Sequence, residues 1–592
     1  MTHFLQHYTL KYTPLSPIHI GTGDSYEPTN YVIDNGTLYE FDTSTAVSAF
    51  TDNDRSELMK IVNKRANEEM LKSVQKFFYE RRSKLKPWTI NAIPVLDGVA
   101  EFYGKRIGQT ANHEGNGKGV INKLEIDRTA YNPVTRQPVL FGSSVKGAIR
   151  TALLSQVNGK QPLSYSDAEK FKVENIDLPE KKRRERDQKK IFPKLNQALF
   201  KFQPGKFELD PLRLLHISDA EWCSQEQLPS AQVVVSVNRK KELKRDKEGN
   251  EIFSQAEKNE NLCKLLECVP ALHYRSFRGQ LNLQLLNSMV HTSKMPNPNL
   301  LFTIEQIAKY CSGFYLPKLK SELNVMRERG FLDQEWDRAI QELLQKLSDK
   351  ILKGEVFLLR VGRHSGAESV TIDGLKHIKI LKGTPEYQPE TKTLWLAANQ
   401  PKQRTGLLPF GWVLVEIQTE ATKNQESNDL ADICHVQQIQ AKKWAEKNTL
   451  QQTEFSKQRK ELEASLVLLE EQRRLEVEKR QRELELKRRA QEEAAEAERQ
   501  QLAAERQRLA SLSPVEQEIE QFLKPIPPQE HDTRLLQELE TGRWKDADAK
   551  HVANKVKALM EKSGKWLPDY TGDNKQKAKN RDRSLKVRKY LD

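Results

Sequence analysis

The sequence predicts an α+β protein: two consecutive domains of mixed strands and helices, a long charged helix, and a small helical unit. Three observations predict it. Up to about residue 420, strand-length apolar runs interleave with helical-period stretches in both halves. From Gln437 to Leu512 there is no Gly and no Pro, and Glu, Lys, Arg, Gln, Leu and Ala crowd the segment. Beyond it, Pro525-Ile526-Pro527-Pro528 reads as a stiff linker into another helical pattern.

Taken in order, His7–Thr13 alternates as a strand does. Asn35-Gly36 stands between Tyr31–Asp34 and Thr37–Asp42, the strongest short hairpin signal. Asp54–Lys86 places Leu58, Ile61, Val62, Leu71, Val74 and Phe77 on roughly helical spacing. Asn122–Arg128 and Leu214–Ser218 read as short strands, Gly108–Gly119 as a loop, and Pro179–Lys190 as a dense basic run. A first domain therefore spans 1–225. The second, 226–420, carries strands at Ala231–Val237, Ser276–Leu285, Glu355–Arg360 and Gly411–Ile417, with helices at Ile304–Cys311 and Gln334–Lys350. In the long helix, 437–512, Phe455, Leu462 and Leu469 recur every seven residues, as do Val477 and Leu484, and Leu502 and Leu509. The register slips between these groups, giving a patchy coiled-coil seam. The unit at 514–570 has Leu535, Leu536, Leu539, Trp544, Val552, Val556 and Leu559 as its expected core. The tail, 571–592, holds eight Lys/Arg against three Asp and is expected to be disordered.

The 592 residues carry a net charge of +14, which favours a polyanionic partner without separating nucleic acid from an acidic membrane surface. No apolar stretch approaches the ~18 residues of a membrane span, so no membrane partner is expected. Five cysteines with no Cys-x-x-Cys pair, and no basic-then-apolar N-terminus, indicate a cytoplasmic protein. There is no Walker loop, His-Glu-x-x-His or zinc-type spacing, so neither metal nor cofactor is expected.

The segment Leu140–Leu154, LFGSSVKGAIRTALL, leads glycine and serines into a strong helix former. Ser143 or Ser144 is placed to cap that helix, whose N–H groups and dipole form an anion site. Lys146 and Arg150, four apart, add charge on one face beside Gly147. In Gly362-Arg363-His364-Ser365-Gly366, glycines allow close approach of backbone and Arg363 offers stacking or a phosphate contact. LSPIHIGTGD (15–24), the YVID/LYEFD hairpin, PVLFGSSVKGAIRTALL, DPLRLLHISDAEW (210–222), LLRVGRHSGAESVTIDG (358–374) and TGLLPFGWVLVEI (405–417) occur in that order. Together they resemble the RAMP superfamily of CRISPR-associated RNA-binding proteins. Within it, the chain is most similar to the family of fifth subunits of the Csm, type III-A, effector. The resemblance covers residues 1 to about 420.

That resemblance implies two ferredoxin-like (RRM-like) domains and a non-enzymatic subunit capping the backbone filament at the crRNA 3′ side. It implies crRNA and target RNA as ligands. The adjacent backbone subunit, the small helical subunit and host nucleases that trim crRNA are the implied protein partners. Gly21, Gly23, Gly362, Arg363 and Gly366 would shape the RNA groove, with Ser143, Ser144, Lys146, Gly147 and Arg150 holding phosphate. Two rivals remain. A RAMP-type ribonuclease processing precursor crRNA would need His19 as base, yet no second His lies near it in a comparable motif. For metal-assisted cleavage Asp34 is explained by its turn, and Asp24, after a glycine turn, is the better candidate but has no matching motif. A coiled-coil scaffold would self-associate through 437–512. No catalytic residue is assigned.

Overall fold

The structure, a computed structural model, describes residues 4–64, 68–108, 124–163, 193–203, 205–224, 228–253, 255–258, 263–286, 293–374, 378–380, 386–388, 390–419 and 428–592. The expected loop Gly108–Gly119 and the basic run Pro179–Lys190 thus lie almost wholly outside the described residues. The chain forms two compact units, residues 1–464 and 465–592.

The first unit is α+β. Its strands are β1 (Leu5–Pro14), β2 (Gly21–Tyr26), β3 (Tyr31–Asp34), β4 (Thr37–Phe41), β5 (Thr89–Pro94), β6 (Ile126–Thr129), β7 (Val139–Leu140), β8 (Leu215–Ile217) and β9 (Ala220–Trp222). They continue as β10 (Gln232–Lys240), β11 (Lys264–Cys268), β12 (Phe277–Gln284), β13 (Val356–Arg360), β14 (Ile378–Ile380), β15 (Glu386–Gln388), β16 (Thr393–Ala398) and β17 (Trp412–Gln418). The principal helices are α1 (Asp52–Val62), α2 (Glu68–Glu80), α3 (Asp97–Arg106), α4 (Gly142–Val157), α5 (Ile304–Glu328) and α6 (Gln334–Lys346). One sheet runs β13-β17-β1-β12-β9-β7 with β8 also on β12, and a second runs β16-β10-β11-β6-β2. The Asn35-Gly36 hairpin forms as expected, with both turn residues at positive φ, and its strands join β5 in a third sheet. β14 and β15 pair with each other.

Strands from before and after residue 225 share both large sheets: β1 lies between β12 and β17, and β6 pairs with β11. The expected boundary at 225 therefore does not part the sheets, because each half supplies strands that only the other half can pair. Along the chain, β1, α4, β8, β12, α5 and β13 run strand–helix–strand–strand–helix–strand, with β17 inserted between β1 and β13. α4 and α5 pack together, and the Tyr315 hydroxyl lies 3.0 Å from the Ala148 carbonyl and 3.3 Å from that of Ser369. One continuous apolar core, including Leu10, Tyr12, Val235, Phe277, Leu358 and Trp412, underlies both sheets.

The long helix, α7 (Asn428–Ala510), begins earlier than its composition suggests. Leu430, Ile433 and Cys434 belong to the main core. Trp444 Nε1 donates to Thr37 Oγ1 at 3.2 Å, and the Phe455 ring lies 5.8 Å from that of Tyr39. Of the heptad residues Phe455, Leu462 and Leu469, only the first is covered; the other two are exposed.

The second unit contains the remainder of α7 with α8 (Pro514–Leu523), α9 (His531–Glu540), α10 (Asp546–Lys562) and α11 (Lys575–Arg588). Ser513 and Glu516 form a reciprocal cap at the start of α8. Ile519, Leu535, Leu536, Leu539, Trp544, Val552, Val556, Met560 and Val587 make a separate core. The tail 571–592 is consequently not disordered: Asn574 caps α11, and Val587 is fully buried. Among the described residues, no helix is long and apolar enough to cross a membrane.

Candidate nucleic-acid interface

The structure brings the 15–24 and 362–366 segments together. Arg363 N–H donates to the His19 carbonyl at 2.8 Å, and Gly411 N–H to that of Pro17 at 2.9 Å. Val361 N–H donates in turn to the Gly411 carbonyl at 2.8 Å. Three separate motifs are thereby fastened into one ridge. Gly362, at φ +81°, explains itself here: a Cβ would sit 2.4 Å from the His19 carbonyl oxygen. Its lack of a side chain allows this close contact within the protein. Gly366 at φ +73° also has a conformational reason, while Gly23, at φ +85°, has open space where a Cβ would project. Gly362→Ala should therefore cost about 1–3 kcal/mol and Gly23→Ala about 1, with the difference reporting the backbone contact. Urea unfolding of both variants checks this; equal losses would contradict it.

Gly21, Thr22, Gly23 and Asp24 are all exposed, and β2 is the outer strand of its sheet. The ladder between β2 and β6 is irregular from Gly21 to Ser25, so backbone is presented to solvent without bulky side chains. Beside it, Arg363 pairs with Asp127, which also receives Lys264 at 3.7 Å. Two cations thus share one carboxylate, and both stay partly exposed. His364 stacks on Trp395 with ring centroids 4.8 Å apart and bonds Ser236 Oγ at 3.0 Å. Burial, with Arg363 nearby, pulls its imidazole down to about 3, so it is neutral at physiological pH.

Under this ridge lies a buried ionic cluster. Arg128 sits between the rings of Tyr26 (4.2 Å) and Tyr131 (3.9 Å) and donates to Glu40 at 2.9 Å, and Arg136 reaches Glu40 at 3.2 Å. Glu267 accepts from the Tyr26 hydroxyl at 2.8 Å and from Thr129 N–H at 3.0 Å. Burial pushes Glu267 up to about 7, against the pull of Arg128. Tyr131 also reaches Asp24 at 3.3 Å, which orients the exposed loop.

His19 is 1 % exposed. Its Nδ1–H donates to the Glu267 carbonyl at 2.8 Å, leaving Nε2 inside the protein without a partner. Burial lowers its pKa. A ring so placed presents no solvent-facing nitrogen to a bound ribose hydroxyl. Asp34 accepts from Lys86 at 2.6 Å and from Arg82 at 3.2 Å; burial opposes ionisation, yet these cations hold its carboxyl below the usual range.

The helix start differs from expectation. Neither Ser143 nor Ser144 caps α4: Phe141 is the N-cap and makes no side-chain bond. Asp219 instead accepts Gly142 N–H at 2.7 Å, so a carboxylate of the chain already occupies that N–H. Lys146 Nζ donates to the Leu215 carbonyl at 2.7 Å; burial first, then Arg150, lowers its pKa. Arg150 donates to Asp210 at 3.0 Å and to Asn196 at 3.0 Å. Lys146 and Arg150 are therefore held by the 210–222 segment rather than free for phosphate. Ser143 and Gly147 remain exposed, and Ser144 half-buried.

Lys264, Asp127, Glu267 and the Asp210/Asp219 pair escaped the sequence reading. A signal was present for Glu267, a lone carboxylate in the apolar run Leu265–Val269, and for two aspartates flanking a strand pattern opposite a basic helix.

The glycine-bearing motifs fastened here fall largely within the reach of one family model. The chain belongs to the RAMP superfamily, whose family model matches residues 11–365. Within it the chain resembles Csm5. The "CRISPR system Cms protein Csm5" of Streptococcus thermophilus is 26 % identical over 178 residues, 29 % of this chain and 44 % of that protein. The chain thus matches less than half the length of that relative. Two solved structures are each 15 % identical. A chain of the "Csm-crRNA-target RNA ternary complex in type III-A CRISPR-Cas system" covers 69 % of this chain and 100 % of its own, with TM-score 0.40. Csm5 of T. onnurineus covers 68 % and 99 %, with TM-score 0.37.

Proposed function

We propose that this chain is a non-catalytic, RNA-binding terminal subunit of a cytoplasmic type III-A CRISPR ribonucleoprotein, holding the 3′ side of crRNA. The observation that carries the reading is the exposed glycine edge of β2, fastened beside Arg363 and Lys264 by the Arg363–His19 backbone bond. Family membership and the resemblance to Csm5 support it. The β1–α4–β8–β12–α5–β13 succession supports a ferredoxin-like reading of the first sheet. Gly21, Gly23 and Arg363 touch the guide backbone, with Ser143, Ser144 and Gly147 on a second approach. Lys146, Arg150, Gly362 and Gly366 hold the shape of the groove. Target RNA is read by pairing with the guide, and neighbouring effector subunits and trimming nucleases complete the assembly.

Replacing Arg363 and Lys264 together by alanine should weaken binding of single-stranded guide RNA. The slope of log K against log salt should flatten by about 1.4, two lost phosphate contacts. Titration at several salt concentrations measures it. An unchanged slope in a folded variant would place the interface elsewhere. The ribonuclease reading gains no support from a buried His19.

A further inference from the structure

Charge is segregated within the second unit. Residues 514–549 hold four Lys/Arg against nine Asp/Glu, whereas 550–592 hold thirteen against five. The second stretch comprises most of α10 and all of α11, two helices that pack together around Val552, Val556 and Val587. Lys550, Lys562, Lys575, Lys577, Lys579 and Lys589 are exposed and form no ion pair among the described residues. Partly exposed aromatic rings lie among the basic residues of this stretch, Trp566 and Tyr590 at the edge of the core. Lys557 Nζ is 5.5 Å from the Trp566 ring, Lys577 Nζ is 5.8 Å from that of Tyr570, and Tyr590 follows Lys589.

Unpaired cations alone fit any polyanion. Cations alternating with partly exposed aromatic rings fit a single strand, whose bases are free to stack while its phosphates are neutralised. A duplex hides its base faces, and a lipid surface favours an apolar helix face that α11 lacks, since its buried positions are Ser584 and Val587. We propose that α10 and α11 form a second binding surface for single-stranded RNA without sequence preference. It lies beyond residue 365, where the match to the RAMP model ends, and is independent of the guide-binding ridge.

Two measurements on the full chain test this. The first is photo-crosslinking to a long uridine-rich single-stranded RNA, with the modified peptides identified by mass spectrometry. Crosslinks at Trp566, Tyr570 or Tyr590 are expected; crosslinks confined to residues 1–464 would overturn the proposal. The second compares the chain with a Lys575→Gln/Lys577→Gln/Lys579→Gln variant. Its slope of log K against log salt for that RNA should fall by about 2, at about 0.7 per lost contact. An unchanged slope, an equal loss on duplex DNA, or binding to phosphatidylserine vesicles in place of RNA would each overturn it. If crosslinks appear at 566–590 but none in 1–464, the guide-binding role fails while this surface stands; the reverse pattern does the opposite.

Discussion

A chain ending after Thr419 is expected to lose its cooperative fold, whereas one ending after Ala464 keeps it. The change in composition at 437 suggests that everything beyond 420 is an appendage. The structure shows otherwise, because the first ten turns or so of α7 lie within the first unit. Leu430 and Cys434 are 1 % and 0 % exposed, and Ile433 is also buried. Trp444 and Phe455 meet Thr37 and Tyr39 on β4. Losing burial at about 1.5–3 kcal/mol per large apolar side chain removes on the order of 5 kcal/mol or more. That is comparable with the whole stability of a typical domain, about 5–15 kcal/mol. Urea unfolding followed by circular dichroism distinguishes the two chains. Equal midpoints would show that α7 contributes nothing to the first unit.

Glu322→Ala should destabilise the first unit by about 3–5 kcal/mol. Glu322 accepts from Arg360 Nη2 at 2.7 Å and from Trp412 Nε1 at 2.8 Å, and both members of the ion pair are almost wholly buried. Removing the carboxylate leaves a guanidinium and an indole N–H without their acceptor. Replacing both members by apolar residues, Glu322→Leu with Arg360→Met, should cost much less, because no charge is then left unpaired. Denaturation of the three variants gives the coupling directly. A single variant within 1 kcal/mol of the parent chain would contradict the account.

How far the sequence could be read depended on the range of each interaction. The hairpin at Asn35-Gly36 is decided by two residues that accept positive φ, and it forms. Strands β10, β12, β13 and β17 were legible as apolar runs and helix α5 by its period, although α5 extends to Glu328. Which strand pairs with which was not legible: β1 finds β17 some four hundred residues on, and no local pattern encodes that choice. The α4 start shows the same limit. Two serines before a helix suggest a cap, but the acceptor is Asp219, 77 residues from Gly142. The basic tail reads as disordered by composition, yet Ser584 and Val587 suffice to dock α11 on a core built by other helices. At the candidate interface, Gly23 and Arg363 were legible because glycine and arginine carry distinctive chemistry. Lys264 and Asp127 were not, because each is ordinary until the fold sets it beside Arg363.

The proposed role is to bind guide RNA without cutting it. The most direct measurement is purification of the full chain together with its native partners, followed by sequencing of the RNA that crosslinks to residues 1–464. The expected result is guide RNA, enriched at its 3′ side, intact, and lost when Arg363 and Lys264 are both replaced. Recovery of the assembled chain with no guide RNA on these residues, or with RNA cut in a manner abolished by His19→Ala, would contradict it.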